Sequence, residues 1–178
     1  MSKTTRFTRT QLPLAALALA LAAAGSAAAA TATATSSSTV VTPITITAPV
    51  NLAFGSFASG ATGGTVTLTP GSTRSVTGGV VGFAGATPAA AQFLVSGEAG
   101  ATYAITLSGT TALTSGGNTM AFTRVADTSA SAITTGEVAT GTLTGGTQTI
   151  YVGGVLTVAA NQAPGTYTGD VTAVVNYN

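Results

Sequence analysis

Asp127 and Glu137 are the carboxylates that lie closest together in the sequence, and a pair of acids is a catalytic kit this composition still permits. Glycoside hydrolysis sets two such groups about 5 to 9.5 Å apart across a cleft. The residues around this pair point elsewhere. Asp127 opens Asp-Thr-Ser, the chemistry of an Asx turn, and Glu137 follows Gly136 at an expected strand start. With no histidine, no cysteine and no lysine beyond Lys3, Ser-His-Asp and Cys-His arrangements lack their parts. The carboxylates Glu98, Asp127, Glu137 and Asp170 form no Asp-x-Asp-x-Asp series for calcium, and zinc would have to be held by carboxylates alone, which is rare. None of the glycine-rich turns has the G-x-G-x-x-G or G-x-x-x-x-G-K-[ST] form that cradles phosphate. The four tyrosines, Tyr103, Tyr151, Tyr167 and Tyr177, each sit on an apolar alternation, which favours packing within or across strands over stacking on sugars. The expectation is a protein that is not an enzyme and has no catalytic, cofactor or metal site.

The elements that would carry any other function start after an export signal. Lys3, Arg6 and Arg9 form a basic start, Leu12 to Ala24 form an apolar stretch of 13 residues, and small residues run from Gly25 to Ala30. That is the order of a secretory signal peptide, and the stretch is shorter than the roughly 20 residues a spanning helix needs. Cleavage is expected after Ala30, with Ala28 and Ala29 as alternatives. The signal is therefore 1–30, and no transmembrane anchor is expected after it. The chain should pass the inner membrane to the periplasm, the cell surface or an extracellular fibre. Its mature part keeps Arg74 and Arg124 against four carboxylates, 2 − 4 = −2. Two separated arginines build no basic stripe, which excludes nucleic acid as a partner. Export permits disulfides, so a chain without cysteine must be held by packing and strand pairing alone.

Residues 31–42 (TATATSSSTVVT) have no large side chain before Val40 and read as a flexible arm. From 43 to 178 the apolar pattern has a period of two. Ile44, Ile46, Ala48 and Val50 alternate with Thr45, Thr47 and Pro49. The habit continues through Val66 and Leu68, Phe93 and Val95, Tyr103 to Leu107, Met120 and Phe122, and Ile150 to Val158, and it is cleanest from Tyr167 to Tyr177. Threonine, valine and isoleucine suit a pleated, half-buried surface, and 23 glycines would be costly in helices. Gly-Gly pairs at 63–64, 78–79, 116–117, 145–146 and 153–154 fall at unequal intervals and read as hairpin turns or bulges. The fold class expected is all-β: one immunoglobulin-like antiparallel β-sandwich of about seven to nine strands.

The ending, Gly165-Thr-Tyr-Thr-Gly-Asp-Val-Thr-Ala-Val-Val-Asn-Tyr-Asn178, resembles the C-terminal strand of chaperone-usher pilins and of the spore-coat-protein-U-like subunits of archaic pili. Those families share a glycine fourteenth from the end and a penultimate aromatic, positions that Gly165 and Tyr177 occupy here. Leu52-Ala-Phe-Gly55, Tyr151-Val-Gly-Gly-Val-Leu-Thr-Val158 and Gln162-Ala-Pro-Gly-Thr-Tyr167 are similar to a family of secreted bacterial proteins known only as a domain of unknown function. The pilin resemblance implies a domain short of one strand, served first by a periplasmic chaperone and outer-membrane usher and then by the arm of a like subunit. It implies that Gly165, Tyr167, Val171, Ala173, Val175 and Tyr177 line the acceptor and chaperone-contact strand, and that Val40, Ile44 and Ile46 belong to the donor arm. Within residues 31–39 only Ala32 and Ala34 are apolar, whereas Ile44, Ile46, Ala48 and Val50 are larger. A structural subunit of a cell-surface fibre, adhesive or not, is the leading expectation. A self-contained secreted β-sandwich that binds through its loops is the alternative. An outer-membrane barrel needs more large side chains for its aromatic girdles than this chain supplies.

Overall fold

The computed structural model describes residues 29–85 and 87–178. The expected export signal, up to position 28, lies outside the described residues. The chain divides into two units, Met1–Thr39 and Val40–Asn178. In the first, residues 29–39 are exposed and have no secondary structure. The second is an antiparallel β-sandwich, and no helix among the described residues is long and apolar enough to cross a membrane.

Its strands are β1 (Thr45–Val50), β2 (Phe57–Ala58), β3 (Gly64–Leu68), β4 (Arg74–Val76), β5 (Val81–Gly82) and β6 (Ala91–Ser96), followed by β7 (Thr102–Gly109), β8 (Ala112–Ser115), β9 (Asn118–Asp127), β10 (Thr140–Thr142), β11 (Thr147–Val158) and β12 (Val171–Tyr177). These are twelve where about seven to nine were expected, because β2, β4, β5, β8 and β10 are pieces of two to four residues. The large sheet is built on β11, whose first half pairs with β6 and whose second half pairs with β3. Its other edge pairs with β9. Beyond these, β1 adds to β6, β4 to β3 and β8 to β9. The small sheet is β10-β7-β12, and β2 pairs with β5 alone.

Two glycine pairs show how local chemistry sets this topology. Gly116 and Gly117 have φ of 52° and 86° and form a two-residue turn between β8 and β9, with Ser115 opposite Asn118. Gly153 and Gly154 were expected at a turn or bulge and sit in the middle of β11, where its partner changes from β6 to β3. Close approach is the reason. A Cβ on Gly153 would strike the Leu68 carbonyl, and one on Gly154 would strike the Phe122 ring and the Thr123 carbonyl.

The core has two parts. In the first, Phe93 and Val95 of β6 and Ile150 and Val152 of β11 pack against Tyr103 and Ile105 of β7 and Val175 of β12, so sheet faces sheet. In the second, Val66, Leu68, Met120, Phe122, Leu156 and Val158 of the large sheet meet the small sheet only at Val171, the first residue of β12. Leu52, Phe54, Phe57, Val80 and Tyr167 pack over the rest. The three-stranded sheet is too narrow to cover the wide one, and irregular chain covers the remainder.

Candidate functional site

The incomplete cover leaves a groove of about 980 Å³ over the second core. One wall is the chain that continues β1, residues 48–59, and the other is the chain that leads into β12, residues 162–171. Phe93, Met120, Phe122 and Leu156 form the floor, with Phe122 edge-on to Phe54 at a centroid distance of 5.9 Å and an angle of 85°. Asp170 is the one charged residue among those lining it. Such a site sets polar backbone and side-chain groups beside apolar side chains, with almost no charge.

Both walls are held by hydrogen bonds that reach across the fold. The Arg74 guanidinium donates to the carbonyls of Phe54 (3.0 Å), Ser56 (3.1 Å) and Phe83 (2.8 Å), fixing the first wall to the chain after β5. Tyr167 donates through its hydroxyl to the Ala163 carbonyl (2.8 Å) and accepts from the Gln162 side chain (2.7 Å), which shapes the second. Thr114 and Thr168 exchange backbone hydrogen bonds of 2.9 and 3.0 Å, pinning that wall to β8. At the far end of the groove the walls meet, with Ser59 Oγ donating to the Gln162 carbonyl (3.1 Å) and Asn161 N–H to the Gly60 carbonyl (2.9 Å).

At the opposite end of β1, three groups close a ring. Glu98 N–H donates to the Tyr177 hydroxyl oxygen (2.6 Å), the Tyr177 hydroxyl donates to the Thr42 carbonyl (2.8 Å), and Thr42 N–H donates to Glu98 Oε2 (3.0 Å). The bond from Thr42 holds the Glu98 carboxyl below its ordinary value. Here β1 and β12 draw together, with Ile44, Ile46, Ala173, Val175 and Tyr177 packed on the first core.

Both strands that flank this region end their sheets. Thr110 N–H donates to the Asp170 carbonyl and Asn178 N–H to the Thr102 carbonyl, so the even-numbered residues of β12 face β7. In an antiparallel pair the alternate residues turn their N–H and C=O to the other side. Val171, Ala173, Val175 and Tyr177 therefore present backbone donors and acceptors at an edge that no described strand pairs.

The residues that the pilin resemblance singled out separate along this line. Gly165, Tyr167 and Val171 line the groove, whereas Ala173, Val175 and Tyr177 lie on the closed half of the same edge. Ile44 and Ile46 are in or beside β1, half-buried against the first core, and Val40 is 94% exposed. Of the acids, Glu137 pairs with Arg124 at 3.0 Å, and Asp127 accepts from Thr128 N–H (2.7 Å) and the Ser129 hydroxyl (3.0 Å), closing its own turn. Tyr103 is fully buried, donates to Gln148 Oε1 at 2.8 Å, and has its phenol pushed up by burial. No group of three or more His, Cys, Asp or Glu residues among the described residues could hold a metal.

Neither the curated proteins nor the solved structures gave a match to this chain. Residues 44–177 match the family model described as Domain of unknown function (DUF4402). The chain belongs to the DUF4402 family.

Proposed function

We propose that this DUF4402 chain is an exported, non-enzymatic subunit of a cell-surface fibre whose groove accepts a β-strand from a like subunit. The observation that carries the reading is the groove itself: an apolar floor of Phe93, Met120, Phe122 and Leu156 between the chain that continues β1 and the chain that leads into the free edge of β12. Unpaired edges in a sandwich are normally blunted by charge, proline or cover. Here β12 ends in Val-Thr-Ala-Val-Val-Asn-Tyr and carries none of these. An incoming strand would pair the odd-numbered backbone groups of β12 and, continuing past Val171 into the groove, lay side chains onto the floor, which is how strand addition combines affinity with selectivity. Before assembly the same edge would need a temporary partner, the role of a periplasmic chaperone, with an usher in the outer membrane as the exit. The basic and apolar leader supports export, and the absence of cysteine supports a subunit that relies on strand pairing.

The test compares the full chain with a form lacking residues 31–41, both produced in a Gram-negative periplasm, by gel filtration and electron microscopy. The reading expects large linear assemblies from the full chain and loss of them without the arm. A full chain that stays monomeric and melts in one sharp transition would instead make this a self-contained secreted β-sandwich binding module.

A further inference from the structure

We infer that the cleft at the free edge of β10 is a binding site for a neutral sugar at the end of a glycan chain, with the side-chain amide of Gln148 as its fixed pair of donors. The site lies within one domain and does not depend on whether the groove accepts a strand.

Gln148 is held by its carbonyl alone. Its Oε1 accepts from the buried Tyr103 hydroxyl at 2.8 Å and from Thr142 N–H at 3.0 Å. A backbone N–H can only donate, so the atom facing Thr142 is the oxygen and the nitrogen is turned the other way. Gly141 makes room for this arrangement, because a Cβ there would strike both Gln148 Oε1 and the Tyr103 hydroxyl. The two N–H groups of Nε2 have no acceptor among the described residues, yet the nitrogen is not sealed in the interior. Gln148 lines a cleft of about 410 Å³, and these donors open onto it. The fold uses the carbonyl half of the amide and leaves the other half aimed and unused.

The remainder of the cleft is polar and uncharged. Thr102, Thr128, Thr140, Thr142 and Thr144 line it, and none of its side chains ionises. Backbone adds to the hydroxyls. Ile105 N–H donates to the Ala139 carbonyl and Leu143 N–H to the Ala101 carbonyl, so the odd-numbered residues along β10 face β7 and the even-numbered ones turn to the cleft. Thr142 N–H is taken by Gln148, which leaves Thr140 N–H and the carbonyls of Thr140 and Thr142 along the rim. With three residues, β10 is too short an edge to hold an added strand. Donors and acceptors therefore stand side by side on one uncharged wall, with threonine methyls among them. An ionic ligand would give up its hydration there and meet no counter-charge. A sugar hydroxyl both donates and accepts, and two neighbouring hydroxyls can take the two N–H groups of one fixed amide. The volume falls in the range of about 300 to 1,000 Å³ usual for small-ligand sites, and the cleft is open on its outer side, which leaves a path for the rest of a glycan. Because the Tyr103 ring is buried and offers no stacking face, a single sugar should bind weakly, and repeated copies of the site along a fibre would add by avidity.

Saturation-transfer NMR on the full chain tests this with the methyl glycosides of D-glucose, D-galactose, D-mannose and N-acetyl-D-glucosamine, and with methyl D-glucuronide as the charged comparison. The expected result is transfer to at least one neutral glycoside and less to the glucuronide. Gln148→Glu keeps an oxygen for Tyr103 and Thr142 but loses both donors, so the Kd for that glycoside should rise at least about tenfold while Tm stays near that of the parent. Thr140→Val removes an exposed hydroxyl without changing the shape of the side chain and should weaken binding as well. If Gln148→Glu melts lower than the parent, Thr140→Val decides alone. Transfer to none of the neutral glycosides overturns the inference. So does stronger transfer to the glucuronide, or binding that a folded Gln148→Glu, or Thr140→Val in its place, leaves unchanged. None of these results bears on the strand-accepting reading.

Discussion

Replacing Tyr177 by phenylalanine removes one oxygen atom from a residue that joins the two ends of the domain. The ring stays packed on the first core, so no cavity is made. What goes is an acceptor for Glu98 N–H at 2.6 Å and a donor to the Thr42 carbonyl at 2.8 Å. A net hydrogen bond contributes about 0.5 to 1.5 kcal/mol. The Thr42 carbonyl is exposed and water can replace its partner, whereas the Glu98 N–H is half-buried and loses more. Together the loss comes to about 1 to 2 kcal/mol, or roughly 3 to 8 °C in Tm for a domain of this size. Urea unfolding of Tyr177→Phe measures it, and hydrogen exchange at the Glu98 amide should rise in step. Tyr177→Ala, which also empties the ring's place, should cost about 3 kcal/mol more. A Tyr177→Phe variant within about 0.5 kcal/mol of the parent, with unchanged exchange at Glu98, would refute the ring of hydrogen bonds as the structure's anchor for Thr42.

The other predictions concern the same anchor and the two cores. Because the Thr42 N–H bond lowers the Glu98 pKa in the folded state, that contribution is complete above the unfolded value and is lost as pH falls through the folded one. Exchange at the Thr42 amide should therefore accelerate, beyond its intrinsic trend, on acidification below the ordinary carboxylate value of 4.5, and Glu98→Gln should abolish the step. Gly154→Ala drives a methyl into the Phe122 ring and the Thr123 carbonyl and should cost about 1 to 3 kcal/mol in denaturant unfolding. An unchanged midpoint would show that β9 and β11 give way more easily than their close approach implies. Gln148→Leu leaves the buried Tyr103 hydroxyl and Thr142 N–H without their shared acceptor, a loss of about 1 to 3 kcal/mol that calorimetry would register as a lower Tm.

How much of this was legible in the sequence depended on distance along the chain. The alternation from Tyr167 to Tyr177 is a local fact of period two, and it marked the last strand, although only Val171–Tyr177 form it and Tyr167 lies in the irregular chain before it. The antiparallel sandwich followed from the same periodicity. Gly153 and Gly154 misled because a glycine pair carries one local signature for two causes, a turn and a close approach, and only the packing of Leu68 and Phe122 decides between them. The groove was not legible. Phe54, Met120, Phe122 and Leu156 each look like ordinary core, and nothing in their neighbours says that the opposing sheet stops short of them. The single charges were equally silent, since Arg74 holds carbonyls 9 to 20 residues away and the Tyr177 hydroxyl meets partners 79 and 135 residues earlier.

The measurement closest to the central claim is amide hydrogen exchange along β12 in the chain lacking residues 31–41, before and after adding a peptide of residues 31–42. Without peptide, the odd-numbered amides of Val171, Ala173, Val175 and Tyr177 should exchange faster than the even-numbered ones that bond to β7. With peptide at about 100 times its Kd, a stabilisation near 2.7 kcal/mol is expected, and the odd-numbered amides should become protected until the alternation disappears. If the odd-numbered amides are already protected without peptide, or if the peptide changes neither their exchange nor the Tm, the edge of β12 is not an acceptor for this arm.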